Sequence, residues 1–185
     1  TPEQLNDPFD VASESLEKQF DKLELDKNDF KLCSLSQINN NKLMWSHYTQ
    51  EHTGISIGYK FQYLPNYVGK AEVKYKNTDL AENEIFDNII EYWTVKSEDW
   101  EYEKEVRLLH YGEKQKIYYT FDINEAIERN IIALEIESIT FGLKFKNKDI
   151  LKPLVLEIEK KQNREINLFK VKISEQKLII EKVNI

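Results

Sequence analysis

Apolar residues fall at every second position in one short run after another, and this alternation constrains the fold more than any other feature of the chain. Ile55, Ile57, Tyr59 and Phe61 are separated by Ser56, Gly58 and Lys60. Successive side chains of a strand point to opposite faces, so the run predicts a half-buried strand over 55–61. Phe30 to Ser36 alternates in the same way and is followed by Asn39-Asn40-Asn41, while Val73 and Tyr75 mark a further short strand. Ile136 to Phe141 is apolar on alternate positions and meets Gly142. Glu103 to Tyr111 and Ile117 to Phe121 read as an antiparallel pair turning near Gly112. Glu165 to Ser174 and Lys177 to Val183 read as a hairpin across Glu175-Gln176.

Helical spacing takes most of the remainder. Ser13 can cap a helix running to about Leu25, with Leu16, Phe20 and Leu23 on one face. Ile85, Ile89 and Trp93 share a face over 77–96. A third helix is expected over 147–161, with Ile150, Leu151, Leu154 and Ile158 inward and Pro153 its weak point. Leu43 to Thr49 fits a short helix or a strand end equally. With no internal repeat and no linker, the pattern predicts an α+β fold: a single domain over 1–185 with a mixed, mostly antiparallel sheet and about three helices. The chain opens "TPEQLNDPFD", in which Asn6-Asp7-Pro8 is turn chemistry. It reads as the middle of a loop, so a strand and a helix are expected upstream of it.

Composition narrows the function classes. A net charge of −7 argues against a general nucleic-acid coat, because phosphate binding leans on clustered Lys and Arg. Twelve per cent aromatic residues need a packed interior, which argues against disorder. The single cysteine, Cys33, leaves no internal disulfide and no multi-cysteine zinc site. Between leucine and serine on an expected strand, it reads as a small buried residue and not as a nucleophile. Nothing approaches 18 consecutive apolar residues and no signal-peptide pattern opens the chain, so no membrane contact and a cytoplasmic location are expected.

Two stretches concentrate the chemistry. "LMWSHYTQEHTG", residues 43–54, carries Trp45, Ser46, His47, Tyr48 and His52. A histidine titrates near neutrality, and serine, tyrosine and tryptophan add hydrogen bonds and a stacking face. These are the parts of a pocket for a flat ring or a sugar; they are equally the parts of a packed corner with His47 satisfied by a carbonyl. His47 and His52 are five apart, on different faces of a helix and opposite faces of a strand, so no metal site is expected from them.

The second stretch is "DWEYEKEVRLL", residues 99–109. On a strand, Glu103, Glu105 and Arg107 share one face and Lys104, Val106 and Leu108 the other. Carboxylates about 7 Å apart with a guanidinium beyond them make either a catalytic wall or a salt-bridged surface stripe. Arg107 would hold one carboxylate ionised while the other is tuned. Lys144, Lys146, Lys148 and Lys152 follow Gly142 and read as a solvated helix start, with phosphate contact the sharper alternative.

Taken in order, "LNDPFD" at 5–10, "LCSLS" at 32–36, "LMWSHYTQEHTGISIGY" at 43–59, "VKYK" at 73–76, "WEYEKEVRLL" at 100–109 and "ITFGLKF" at 139–145 resemble the bacterial domain of unknown function family 2971, DUF2971. That family usually carries an upstream aromatic-His or aromatic-basic piece before its Asn-Asp-Pro turn. More weakly, the order of motifs is similar to ADP-ribosyltransferases, in which a split α+β sheet clamps nicotinamide adenine dinucleotide and a late-strand glutamate stabilises the cationic ribose.

That second resemblance implies Glu105 as the catalytic carboxylate, assisted by Glu103 and served by His47. Trp45, Ser46 and Tyr48 would line the nicotinamide pocket, with His52 and Arg107 as further ligand contacts. It implies NAD as substrate, a protein acceptor, and a setting in toxins or phage defence; no metal is expected, because the usual ligand spacings are absent. Two alternatives stand beside it. One is a non-catalytic module binding a nucleotide, another small molecule or a protein. The other is a magnesium-dependent nuclease built on Asp7, His47 and Glu105.

Overall fold

The computed structural model describes residues 29–76, 93–112 and 117–184. The expected helix over 13–25, the Asn6-Asp7-Pro8 turn and most of the expected helix over 77–96 lie outside them. The fold is α+β, with antiparallel pairing dominant. The chain divides into two compact units: the described residues of Thr1–Gln37 and Asn66–Lys116 form the first, and those of Ile38–Pro65 and Ile117–Ile185 the second.

The first unit is a three-stranded antiparallel sheet with β6 (Glu105–Tyr111) between β1 (Phe30–Ser36) and β3 (Val68–Glu72). A short parallel pair, β4 (Lys74–Lys76) and β5 (Val95–Ser97), accompanies it. Val106, Leu108 and Leu109 are all buried, so β6 is covered on both faces as a central strand should be. Phe30 stacks on Trp93 with ring centroids 5.6 Å apart.

Several expectations are corrected here. Residues 95–97 are strand where the helix was expected to end, and Val73 is a buried link between β3 and β4. β6 pairs with β1 and β3 rather than with the segment after Gly112. Glu103 closes a 3-10 helix over Glu98–Glu103 and is not yet strand. Cys33 is exposed on β1, which has β6 on one side and no other strand among the described residues.

In the second unit the sheet order is β10 (Lys177–Lys182), β9 (Asn167–Ser174), β8 (Ile132–Phe141), β2 (Ile55–Tyr63). β7 (Tyr119–Thr120) lies parallel beside the start of β8. Three helices belong to this unit: α1 (Lys42–Tyr48), α2 (Ile123–Arg129) and α3 (Lys152–Gln162). Ile136, Ile139 and Phe141 of β8, Val155 of α3, Ile166 just before β9 and Leu168 within it form a core cluster.

The hairpin of β9 and β10 turns at Glu175 and Gln176, both at positive φ (49° and 64°), as a tight two-residue connection requires. β2 has register shifts against β8 at Gly58/Tyr59 and Phe61/Tyr63, and Ile57 and Tyr59 on it are exposed where the simple alternation places them inward. Pro153 sits in the first turn of α3, where its missing N–H costs nothing. A 3-10 turn over Lys148–Leu151 precedes it and shifts the helical phase. Ile150 and Leu154 therefore face outward, and Val155, Leu151 and Ile158 pack inward.

β8 has a gap on one side. β7 pairs with it at Ile132 and Ala133, and β9 at Ser138 to Phe141, leaving the middle without a strand. Gln162 of α3 fills it. Its side-chain oxygen accepts Ile136 N–H at 3.0 Å, and its amide nitrogen donates to Ile136 O at 3.0 Å and Arg164 O at 3.1 Å. A side-chain amide thus reproduces the donor and acceptor that a neighbouring strand would supply.

The end of β8 is clasped by the loop after α1. Gly142 N–H donates to Gly54 O and Lys144 N–H to His52 O, both at 2.9 Å. A Cβ at Gly142 would stand 2.3 Å from His52 O and 2.8 Å from Gly54 O, and both obstacles are backbone. Gly142→Ala must open this clasp, and about 1–3 kcal/mol of destabilisation is expected. For a chain of this size that lowers the melting temperature by roughly 2–4 °C per kcal/mol, measurable by circular dichroism. An unchanged melting temperature would show that the loop yields freely.

Candidate functional site

The motif at 43–54 folds as a helix, a left-handed turn and a strand start. Asn41 caps α1, its side-chain oxygen accepting Leu43 N–H at 2.8 Å and Met44 N–H at 3.4 Å. Trp45 is 2% exposed and its indole N–H donates to Asn39 O at 2.6 Å. Ser46 is half-buried, whereas His47 and Tyr48 are exposed, their rings meeting edge-on at 6.3 Å. Gln50, Glu51 and His52 all adopt positive φ (49°, 55° and 71°), a left-handed stretch that side chains with a Cβ resist. His52 N–H returns to Trp45 O at 3.2 Å, and Gly54 N–H to Thr49 O at 2.8 Å. The His52 Nδ1 atom is buried with no hydrogen-bond partner among the described residues. The tryptophan is thus the anchor of this segment, and His47 and Tyr48 are what it presents to solvent.

Glu103, Glu105 and Arg107 do converge, in the first unit, and Lys96, seven residues before Glu103, joins the group. Lys96 Nζ lies 2.8 Å from Glu103 Oε2 and 3.3 Å from Glu105 Oε2. Arg107 Nε donates to Glu105 Oε1 at 2.7 Å and Nη2 to Glu105 Oε2 at 3.2 Å, a forked contact; Nη1 donates to Trp93 O at 2.9 Å.

All four side chains are buried, with Arg107 0% exposed. Among the described residues two cations meet two carboxylates, and such pairing is what lets ions be held away from water. Burial would push the Glu105 carboxyl up, but the Arg107 guanidinium, the Ser34 hydroxyl and Lys96 together hold it below the usual carboxylate range. Lys96 also lies 4.7 Å from the centre of the Trp100 ring. Glu105 N–H donates to the Tyr75 hydroxyl at 2.7 Å, and Glu105 O accepts Val73 N–H at 3.0 Å. The group is a buried ion network and not a surface stripe.

Sequence reasoning grouped Glu103, Glu105 and Arg107 but missed Lys96, whose role depends on the parallel pairing of β4 with β5. It also missed α2. The signal was present: Asp122 caps Asn124 N–H at 2.8 Å and Glu125 N–H at 3.2 Å, with Glu125 at the third helical position.

A further feature not anticipated is a cavity of about 370 Å³ in the second unit, between α3 and the β9–β10 hairpin. Its polar rim includes Lys152, Glu159, Glu165, Asn167 and Lys182, over an apolar floor of Val155, Ile166 and Leu168. Among the described residues no three His, Cys, Asp or Glu side chains gather to hold a metal ion, and no helix is long and apolar enough to cross a membrane. Asp7 lies outside the described residues.

No curated protein and no solved structure matches the chain. The family described as a protein of unknown function, DUF2971, does: its model matches residues 44–108, a stretch that holds the Trp-Ser-His-Tyr motif, His52 and the whole Glu103–Glu105–Arg107 group.

Proposed function

We propose that this chain is a binding module that holds a small polar ligand and carries out no chemistry with Glu103 or Glu105. The observation behind this reading is the occupancy of the Glu105 carboxylate: Arg107 takes both oxygens and Lys96 one of them. A carboxylate that stabilises a cationic sugar must present charge to the substrate. This one spends its charge on two buried cations. The cavity beside α3 supplies a place for a ligand, with cationic and anionic groups on its rim and hydrocarbon beneath.

Incubation with NAD, followed by assay of released nicotinamide, separates this reading from a transferase. No release above the spontaneous rate is expected from the folded protein. Release that Glu105→Gln abolishes, with the variant folded, would replace the binding reading by the transferase one. Amide chemical shifts recorded against a library of small polar compounds should move first at Glu159, Glu165, Asn167 and Lys182.

A further inference from the structure

Among the described residues β10 ends the sheet of the second unit, with β9 on one side. Val183 N–H donates to Leu168 O at 2.8 Å, and Lys182 stands opposite Phe169. Antiparallel strands alternate in which edge their backbone groups face. The N–H and C=O groups of Lys177, Ile179 and Glu181 therefore turn to β9, and those of Leu178, Ile180 and Lys182 turn outward. No hydrogen bond among the described residues receives the outward set. An edge of this kind is a template for another strand.

The order of side chains selects the strand. Residues 177–181 read Lys-Leu-Ile-Ile-Glu: a cation, three apolar residues, an anion. Reversed about Ile179, the sequence complements itself. Lys177 meets Glu181, Leu178 meets Ile180, and Ile179 meets Ile179. Leu178 and Ile180 are outward-facing, so each such pair exchanges both its backbone hydrogen bonds. Ile179, 36% exposed, then meets its own counterpart at the close, non-bonded spacing. Moving the axis one residue to Ile180 would set Glu181 against Ile179 and Lys182 against Leu178, charge against hydrocarbon. A parallel copy would set Lys177 against Lys177. Charge and apolar patterning thus agree on one partner and one register.

We infer that β10 pairs antiparallel with β10 of a second copy of this chain, about a two-fold axis at Ile179. The pairing joins two sheets into one and is isologous, so it closes at a dimer. Glu181 already pairs with Lys172 of its own chain, and Lys177 of the second copy approaches the same carboxylate from the open edge.

Sedimentation velocity of the full chain over a concentration series at low salt tests this. A concentration-dependent dimer is expected, weakening as salt screens the end pairs. Lys177→Glu and Glu181→Lys should each raise the dissociation constant about tenfold or more, since each places like charges opposite at both symmetric ends. Mixing the two single variants should restore association, because each end then joins opposite signs. Ile179→Lys should leave monomer. Melting curves of the four samples, all altered at exposed positions, confirm that each remains folded. A monomer at every concentration would overturn the inference, as would a dimer indifferent to the single charge reversals.

Discussion

Arg107→Met is expected to remove about 3–5 kcal/mol of stability at neutral pH, the cost of breaking a buried pair by removing one partner. The guanidinium is fully buried and holds Glu105 at both oxygens, so no solvent charge can step in for it. With Arg107 gone, Glu105 loses the guanidinium contacts at both of its oxygens and keeps Lys96 at one of them.

The loss depends on pH. In the native protein the Glu105 carboxyl is held below its ordinary value, so its stabilising contribution is present above the unfolded carboxyl pKa, about 4.3, and fades as pH falls through the lower folded value. In the variant the same carboxyl is buried with too little positive charge, its folded pKa rises, and protonation relieves the strain. The difference between the two proteins should therefore be largest above about pH 5 and should shrink towards pH 3. Urea denaturation at both pH values measures it. Glu105→Leu combined with Arg107→Met should lose less than Arg107→Met alone, since removing both ions together leaves none stranded. A single variant within about 1 kcal/mol of the native protein at neutral pH would mean that the network contributes nothing to the fold.

Gln162→Leu is expected to cost about 2–5 kcal/mol, although leucine nearly matches glutamine in volume. The substitution strips partners from Ile136 N–H and Ile136 O in the middle of β8, and each orphaned buried group costs about 1–3 kcal/mol. Hydrogen exchange locates the damage: the Ile136 amide should lose protection well before its neighbours on the β2 side of the strand. Gln162→Glu makes a finer test. The carboxylate still accepts Ile136 N–H but turns a second acceptor towards Ile136 O and Arg164 O. Protonation returns one donor, so this variant should regain stability on acidification while Gln162→Leu does not. An Ile136 amide equally protected in all three proteins would show that water replaces the side chain.

The parts of this fold that were legible in the sequence are those governed by neighbours along the chain. β1, the start of β2 and the β9–β10 hairpin follow from alternation and two turn residues. The shared side of Glu103, Glu105 and Arg107 was legible for the same reason, even though Glu103 reaches it from a 3-10 turn. What was not legible depends on distant pairings or on phase. The parallel neighbours of β8 come from separate parts of the chain, so β7 could not be told from a hairpin partner of β6. Ile150 and Leu154 were placed inward because the helix was started before Pro153, and a 3-10 turn does not keep the α-helical period. Residue type alone places Cys33 inside, whereas it lies exposed on β1. At the candidate site, histidine and aromatic content marked 45–52 as chemically rich, yet a ring such as Trp45 serves a pocket and a core equally well until its surroundings are known.

The division of the chain into two units has a consequence for dissecting it. The first unit draws on residues up to Gln37 and again on Asn66–Lys116; the second takes the intervening Ile38–Pro65 and everything from Ile117. The two are therefore interleaved along the backbone, and no single cut separates them. Cleavage anywhere inside 38–116 parts β1 from β6 or β2 from β8, and over most of that span it parts both. A truncation series, the usual way to assign a function to half of a protein, would return two broken halves. Each unit can be isolated only by excising its rival and splicing the ends, Pro65 to Ile117 for one and Gln37 to Asn66 for the other.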